Sequence, residues 1–272
     1  MNTDTVVNSR TFCVGDIHGC YKALVQCLER CGFNYSNDIL ISLGDIVDGW
    51  HESYECVEEL LKINNHINIR GNHDDWFLTW IETQMHPCGW NHGGFKTLKS
   101  YGTKCLGNSW ENFKIYYKMS GAISNLSPFD LPKSHIDFFK HQINYYIDDK
   151  NRLFVHGGFD RSFSIKDQTP YIYYWDRELW EEAMSYEATI RGNESNKKIK
   201  NKFKTKDNFS EIFIGHSSTI NWNKDTPMRA VNIWNLDTGA GYKGKLTIMN
   251  VDTHEFWQSD PVQRLYPNHV GR

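Results

Sequence analysis

The 272-residue sequence has no uninterrupted apolar run near the roughly 18 residues that mark a membrane span. No basic stretch followed by an apolar segment stands at its start, so a secretory leader is not expected. Paired cysteines are missing as well. Cys13, Cys20, Cys27, Cys31, Cys56, Cys88 and Cys105 are odd in number, fall in the first half and include no Cys-x-x-Cys motif. That pattern excludes a disulfide framework or a zinc ribbon and fits reduced thiols. Basic charge is in short supply too, with a net charge of -3, so the broad positive field of a non-specific nucleic-acid binder is absent. Internal repeats and low-complexity tracts are lacking. These absences predict a cytoplasmic protein with neither a membrane nor a stable nucleic-acid partner. The local exception is Lys197, Lys198, Lys200, Lys202, Lys204 and Lys206, which reads as a solvated face or as a patch drawing in an acidic, phosphorylated substrate.

What is present is an alternation of strand and helix patterns within one expected domain, residues 1–272. Thr11–Val14 reads as a short buried strand ending at Gly15, and Tyr21–Cys31 has apolar residues at helical spacing. Ile39–Leu43 is a second strand, Glu52–Ile63 a second helix, and His66–Ile69 a third strand. This β-α-β-α-β order predicts parallel strands with right-handed crossovers. Asp74–Thr83 reads as a helix. Residues 84–142, aromatic and mostly helical in pattern, are expected to form a helical cap on the sheet. Strands are expected again at Asn144–Ile147, Leu153–His156, Glu211–Ile214, Met228–Ile233, Lys245–Asn250 and His254–Trp257, with a helix over Arg177–Tyr186.

Five segments share one layout: a β-prone apolar run, then a turn with a metal-capable side chain. They are Gly15-Asp16-Ile17-His18-Gly19, Gly44-Asp45-Ile46-Val47-Asp48-Gly49, Arg70-Gly71-Asn72-His73-Asp74, Val155-His156-Gly157-Gly158 and Ile214-Gly215-His216. Ligands of open α/β sheets gather beyond the carboxyl ends of the strands, so these turns should converge there. A single Gly-Asp or Gly-His pair usually marks a simple turn, but five in this order are not a chance arrangement. Mixed Asp, His and Asn donors suit Mn²⁺, Fe²⁺ or Zn²⁺. Two such ions about 3.5–4 Å apart share a carboxylate and a hydroxide that is nucleophilic near neutral pH.

The motifs Gly-Asp-x-His-Gly, Gly-Asp-x-x-Asp and Gly-Asn-His-Asp, in this order, resemble those of the calcineurin-like metallophosphoesterases. Within that superfamily the chain resembles the bacterial and bacteriophage-type serine/threonine protein phosphatases. The resemblance spans nearly the whole chain, through residues 11–76, 152–160, 175–177, 213–217 and 236–239. It implies an α/β fold: two mixed sheets as a β-sandwich flanked by helices, with the active site at the C-terminal ends of strands. It implies two divalent ions, manganese first and iron or zinc as alternatives. Asp16 and His18 would bind the first ion, Asp45 would bridge, and Asn72, His156 and His216 would bind the second. His73 is the implied general acid, Asp48 its orienting partner, and Arg177 a phosphate-gripping arginine, with Asn72 also near substrate.

The sequence departs from that pattern in two places. Asp48-Gly49-Trp50 stands where such proteins commonly carry Asp-Arg-Gly, which removes a phosphate-binding arginine; Trp50, His51 and Arg161 are candidate replacements. Gly215-His216-Ser217-Ser218 lacks the second histidine of nuclease and cyclic-phosphodiesterase branches, which favours the protein-phosphatase branch. His92 reads as a loop residue, with a substrate role the alternative. Tyr171–Trp175 reads as a core or cap wall, or as the lining of the cleft mouth. The expected reaction is hydrolysis of phosphate monoesters, phosphoserine or phosphothreonine foremost and phosphotyrosine next. The competing expectations are a symmetric dinucleoside-tetraphosphate hydrolase and a catalytically silent phosphoprotein-binding module.

Overall fold

The computed structural model describes residues 9–107, 112–118, 121–192 and 203–272. Lys197, Lys198, Lys200 and Lys202 of the basic run lie outside the described residues. The first unit is β1 (Thr11–Val14), α1 (Tyr21–Arg30), β2 (Ile39–Ser42), α2 (Ser53–Leu60) and β3 (Asn65–Asn68), followed by α3 (Asn72–Thr83). Strands β1, β2 and β3 pair in parallel, as the alternating pattern predicts. Strand β11 (Thr247–Asn250) adds antiparallel to β1, and β12 (Phe256–Gln258) to β11, completing a five-stranded sheet.

The second five-stranded sheet is likewise mixed, with three parallel strands and two antiparallel ones. Strands β7 (Arg152–Val155), β8 (Glu211–Ile214) and β10 (Ile233–Asn235) run parallel. Antiparallel β6 (Tyr145–Ile147) and β9 (Met228–Ala230) close its edges. The single strand expected over Met228–Ile233 is therefore two strands of a hairpin. The chain reverses at Val231, whose φ is +56°, a left-handed conformation that a β-branched residue's pattern does not advertise.

Side chains alternate across these strands with the period of two that a sandwich requires. Cys13, Ile41, Phe154, Phe213 and Met249 face inward and form the core between the sheets, with the Phe154 and Phe213 rings stacked 4.9 Å apart. Phe12, Val14 and Leu40 face outward, against α1, α2 and α3. Leu153, Val155, Ile212 and Ile214 cover the outer face of the second sheet, beneath α6 (Pro170–Trp175) and α7 (Glu178–Gly192). Five cysteines, Cys13, Cys20, Cys27, Cys31 and Cys56, are buried free thiols that pack as small apolar groups.

Between α3 and β6 come α4 (Gly94–Cys105), the hairpin β4–β5 (Ile115–Lys118 and Gly121–Ser124) and α5 (Lys133–Lys140). The hairpin corrects the mostly helical reading of this stretch: Ile115-Tyr116-Tyr117 is β-prone sequence that an aromatic count assigns equally well to a helix. Helices α4 and α5 bury Leu98, Tyr101, Phe138 and Phe139 in the same core as α2 and α3. A short α8 (Val262–Leu265) packs on α1. No helix among the described residues is long and apolar enough to cross a membrane.

Candidate active site and metal centre

The turns leaving β1, β2, β3, β7, β8 and β10 meet at one rim, three from each sheet. Asp16, His18, Asp45, Asp48, Asn72, His73, His156 and His216 are all buried there. The backbone is forced to turn sharply. His18 and Asp45 have φ of +51°, Asp48 +65° and His216 +62°, left-handed conformations that non-glycine residues adopt only when their surroundings hold them. Two glycines let the strands come close enough. A Cβ on Gly215 would lie 2.1 Å from Asp16 Oδ1, and one on Gly71 would lie 2.2 Å from Asp45 Oδ1.

Two groups of potential ligands form, Asp16–His18–Asp45 and Asp45–His156–His216, each with its donor atoms within 4.8 Å of one another. Asp45 belongs to both groups. Asn72 joins the second group, its Oδ1 lying 3.1 Å from His156 Nε2.

Hydrogen bonds decide which ring nitrogens are free. His156 Nδ1 donates to the Leu43 carbonyl (2.7 Å), and His18 Nδ1 donates to the carbonyls of Val47 (3.1 Å) and Asp48 (3.0 Å). Carbonyls only accept, so Nε2 of both rings carries a lone pair. These lone pairs point at carboxylate oxygens: His18 Nε2 is 3.5 Å from Asp45 Oδ2 and 3.7 Å from Asp16 Oδ2, and His156 Nε2 is 3.4 Å from Asp45 Oδ1. His216 Nε2 is buried without any hydrogen-bond partner. Lone pairs facing lone pairs in a buried cluster repel unless cations lie between them, so the donor set fits divalent metal ions.

The electrostatics agree. Burial, followed by Arg272, pushes His18 well below its ordinary value; burial and His156 do the same to His216, and burial lowers His156. Burial thus disfavours the charged form of all three, the form that cannot bind a cation. Burial and the neighbouring Asp237 and Asp45 raise Asp16 far above the usual carboxylate range. Burial also opposes ionisation of Asp45, but His156, His73, His18 and Arg272 outweigh it and hold this carboxyl well below its ordinary value.

His73 lies in the first turn of α3 and stands beside the ligand groups, its backbone N–H donating to Asp45 Oδ1 at 2.9 Å. Its Nδ1 donates to Asp48 Oδ2 at 2.7 Å, which turns Nε2 toward the pocket. Asp48 is itself fixed by Trp90 Nε1 (2.7 Å to Oδ2) and Thr97 Oγ1 (2.5 Å to Oδ1). Asp74 holds the start of α3 in register with the β2 turn by accepting from the backbone N–H groups of Gly71 (3.2 Å) and Ile46 (2.8 Å). Burial and nearby Asp45 raise the Asp74 carboxyl to about 7.

Above the donors lies an open pocket of about 210 Å³ walled by Trp76, Trp175, His92, Arg177, Tyr242 and Arg272. Arg177 Nη1 donates to the His216 carbonyl (2.6 Å) and Ser217 Oγ (3.1 Å), not to Glu181. Trp175 lines the mouth, while Tyr173 and Tyr174 of the same aromatic run are core residues. None of the proposed replacements for an arginine at 49 reaches this pocket. Trp50 is fully buried, with Nε1 donating to the Ala240 carbonyl; His51 stacks on His269; Arg161 pairs with Glu182.

Residues given no role in the sequence also meet here. Asp237 follows β10 in the same layout of apolar run, acid and glycine, and burial raises its carboxyl to about 6. Trp76, Tyr242 and Arg272 carry no local signal, because the fold alone brings them to the pocket.

The family model of calcineurin-like phosphoesterases matches residues 9–219. Serine/threonine-protein phosphatases 1 and 2 of Salmonella typhimurium are 40% identical over 65 residues and 39% identical over 82. Those alignments cover 24% and 30% of this chain and only 30% and 37% of the two phosphatases. A symmetrical bis(5'-nucleosyl)-tetraphosphatase of Neisseria gonorrhoeae is 24% identical across 91% of this chain and 94% of its own. Among solved structures, one described as a "putative diadenosine tetraphosphatase" superposes with a TM-score of 0.57 at 16% identity, over 94% of this chain and 95% of that one, and so shares the fold.

Proposed function

We propose that this chain, which belongs to the calcineurin-like phosphoesterase family, hydrolyses phosphate monoesters with two divalent cations, and that its substrates are phosphoserine and phosphothreonine in proteins. The observation that carries the reading is the single buried carboxylate, Asp45, common to two ligand groups, beside a His73–Asp48 pair that faces an open pocket. Asp16 and His18 would hold one ion and Asn72, His156 and His216 the other, with Asp45 belonging to both sets. Bound there, such ions supply a water acidified to near-neutral pKa and neutralise phosphoryl charge. Manganese suits the mixed oxygen and nitrogen donors best, with iron or zinc as alternatives.

The chain's own groups do the remainder. Arg177, which lines the same pocket as His73, grips phosphoryl oxygens. His73 gives its Nε2 proton to the departing alkoxide, and Asp48 keeps the ring oriented and stabilises its charged form. The pocket is small and open, which suits a phosphoryl group presented on a protein surface.

A second reading, symmetric hydrolysis of dinucleoside tetraphosphates, draws support from the end-to-end similarity to a bis(5'-nucleosyl)-tetraphosphatase and from the aromatic lip. Trp76 and Trp175 meet edge to face at 5.1 Å, and Tyr171 stacks on Trp175 at 5.7 Å, a surface on which a nucleobase can lie. Turnover of para-nitrophenyl phosphate, phosphoserine peptides and diadenosine tetraphosphate by the manganese-loaded protein separates the readings. Preference for the peptides by kcat/KM is expected. Preference for the dinucleotide transfers the assignment to the second reading, and no turnover of any of them leaves a phosphoprotein-binding module.

A further inference from the structure

We propose that Arg272 is a substrate-binding residue of this site, gripping the phosphoryl group from the side on which Gly49 stands. The inference rests on the phosphoesterase reading for what is bound, but not for whether an anion binds.

Position 49 offers nothing to that side. Gly49 has φ +110°, and an added Cβ would meet His18 Cβ at 3.0 Å and the His18 carbonyl at 3.1 Å. Gly93 packs directly over its backbone nitrogen, closing the turn. The cation on this side comes instead from the segment that follows α8.

That segment is fastened along its length. The Arg272 backbone N–H donates to the Gly241 carbonyl (2.8 Å), and Lys96 Nζ donates to the carbonyls of Val270 and Gly271, the latter at 2.8 Å. Gly271 fits against the Gly241 and Tyr242 carbonyls and the Trp50 ring so closely that a Cβ there would lie 2.6, 2.9 and 3.0 Å from them. The guanidinium it delivers is half-buried and lies 4.9 Å from the centroid of the Tyr242 ring. Nη2 donates to Tyr242 Oη at 3.1 Å, and Nη1 meets His73 Nε2. Among the described residues no carboxylate forms an ion pair with it. A guanidinium has five donors and a permanent charge. Asp45 and Asp237 attract it only from beyond ion-pair distance, so its fork of donors stays open, and a phosphoryl dianion is the partner whose geometry matches.

The guanidinium stands over His73 Nε2, and a phosphoryl oxygen that draws it away leaves that nitrogen open to the leaving group. Arg177 and Arg272 both line the pocket, so a terminal phosphoryl group, with three free oxygens, can meet both and still face the ligand groups, whereas a diester phosphorus offers only two.

The test uses manganese-loaded wild type, Arg272→Ala and Arg272→Lys. Inorganic phosphate binding is measured by calorimetry, and KM and kcat are measured on para-nitrophenyl phosphate and bis-para-nitrophenyl phosphate. Loss of a charge-assisted contact predicts roughly 10- to 100-fold weaker phosphate binding in the alanine variant, partly restored in the lysine variant. KM should rise with it on the monoester and less on the diester. Weaker phosphate binding in the variant upholds the role of Arg272 even if the wild type turns over no phosphoester, an outcome that removes only the hydrolase reading. Unchanged phosphate affinity in both variants overturns the proposal. Tighter phosphate binding with higher kcat also overturns it, and marks Arg272 as a plug over His73.

Discussion

Asp48→Asn is a near-isosteric change at a carboxylate that touches no substrate. Asp48 Oδ2 accepts from His73 Nδ1 and Trp90 Nε1, both at 2.7 Å, and Oδ1 accepts from Thr97 Oγ1 at 2.5 Å. Asparagine with its oxygen at the Oδ2 position keeps the His73 and Trp90 bonds, and the Thr97 hydroxyl can turn to accept from the new amide. Ring orientation should survive while the charge facing His73 is lost. A hydrogen bond to a charged group contributes about 1.5–3 kcal/mol and a neutral one about 0.5–1.5 kcal/mol, so the protonated ring loses on the order of 1–2 kcal/mol. That corresponds to a drop in kcat of roughly 5- to 30-fold wherever proton donation to the leaving group limits the rate. The assay compares phenyl phosphate, whose leaving group needs a proton, with 2,4-dinitrophenyl phosphate, whose leaving group does not. Asp48→Asn should slow the first and scarcely affect the second. His73→Asn should follow the same order with the roughly 10²- to 10⁴-fold loss typical of a removed general acid. Equal slowing of both esters in either variant would refute the assignment of His73 as acid and Asp48 as its partner.

Arg177→Ala should raise KM for phosphomonoesters about tenfold or more, the worth of one charge-assisted contact, with a smaller change in kcat; an unchanged KM removes Arg177 from substrate binding. Gly215→Ala places a methyl 2.1 Å from Asp16 Oδ1 and should expel the first ion, measured as manganese per chain by elemental analysis; full occupancy would show that the close approach is not required. His66 tests the pH dependence of the fold. Burial lowers its pKa to about 4, with Nε2 2.9 Å from Ser42 Oγ. A depressed histidine contributes stability above its unfolded pKa near 6.5 that is lost as pH falls from there toward 4. The slope is up to about 1.4 kcal/mol per pH unit, less for its partial exposure. Metal-free His66→Asn should therefore lose stability less steeply than wild type in denaturant melts between those pH values, and parallel curves would exclude the effect.

How much of this was legible in the sequence follows from where each signal lies. Each β1-to-β3 turn carries its apolar run, glycine and donor within a few residues, so Asp16, His18, Asp45, Asn72 and His73 could be gathered before any geometry was known. His156 and His216 followed from the same layout in the second sheet. That layout continues at Leu236-Asp237-Thr238-Gly239, and Asp237 could have been singled out on the same grounds. Arg272, Tyr242 and Trp76 could not. Their presence at the pocket depends on β11 and β12 returning the chain to α1 and on the fastened segment beyond α8, which no local pattern encodes. The β4–β5 hairpin and the reversal at Val231 were misread for a related reason: short β-prone runs with aromatic residues have no period long enough to separate strand from helix, or one strand from two.

The bridging role of Asp45 is tested most directly by electron paramagnetic resonance of the protein reconstituted with manganese, with metal content measured on the same sample. Wild type should hold two ions per chain and give the signal of an exchange-coupled pair, and Asp45→Asn should lose that coupling. Two uncoupled ions in the wild type, or a single ion per chain, would contradict the account.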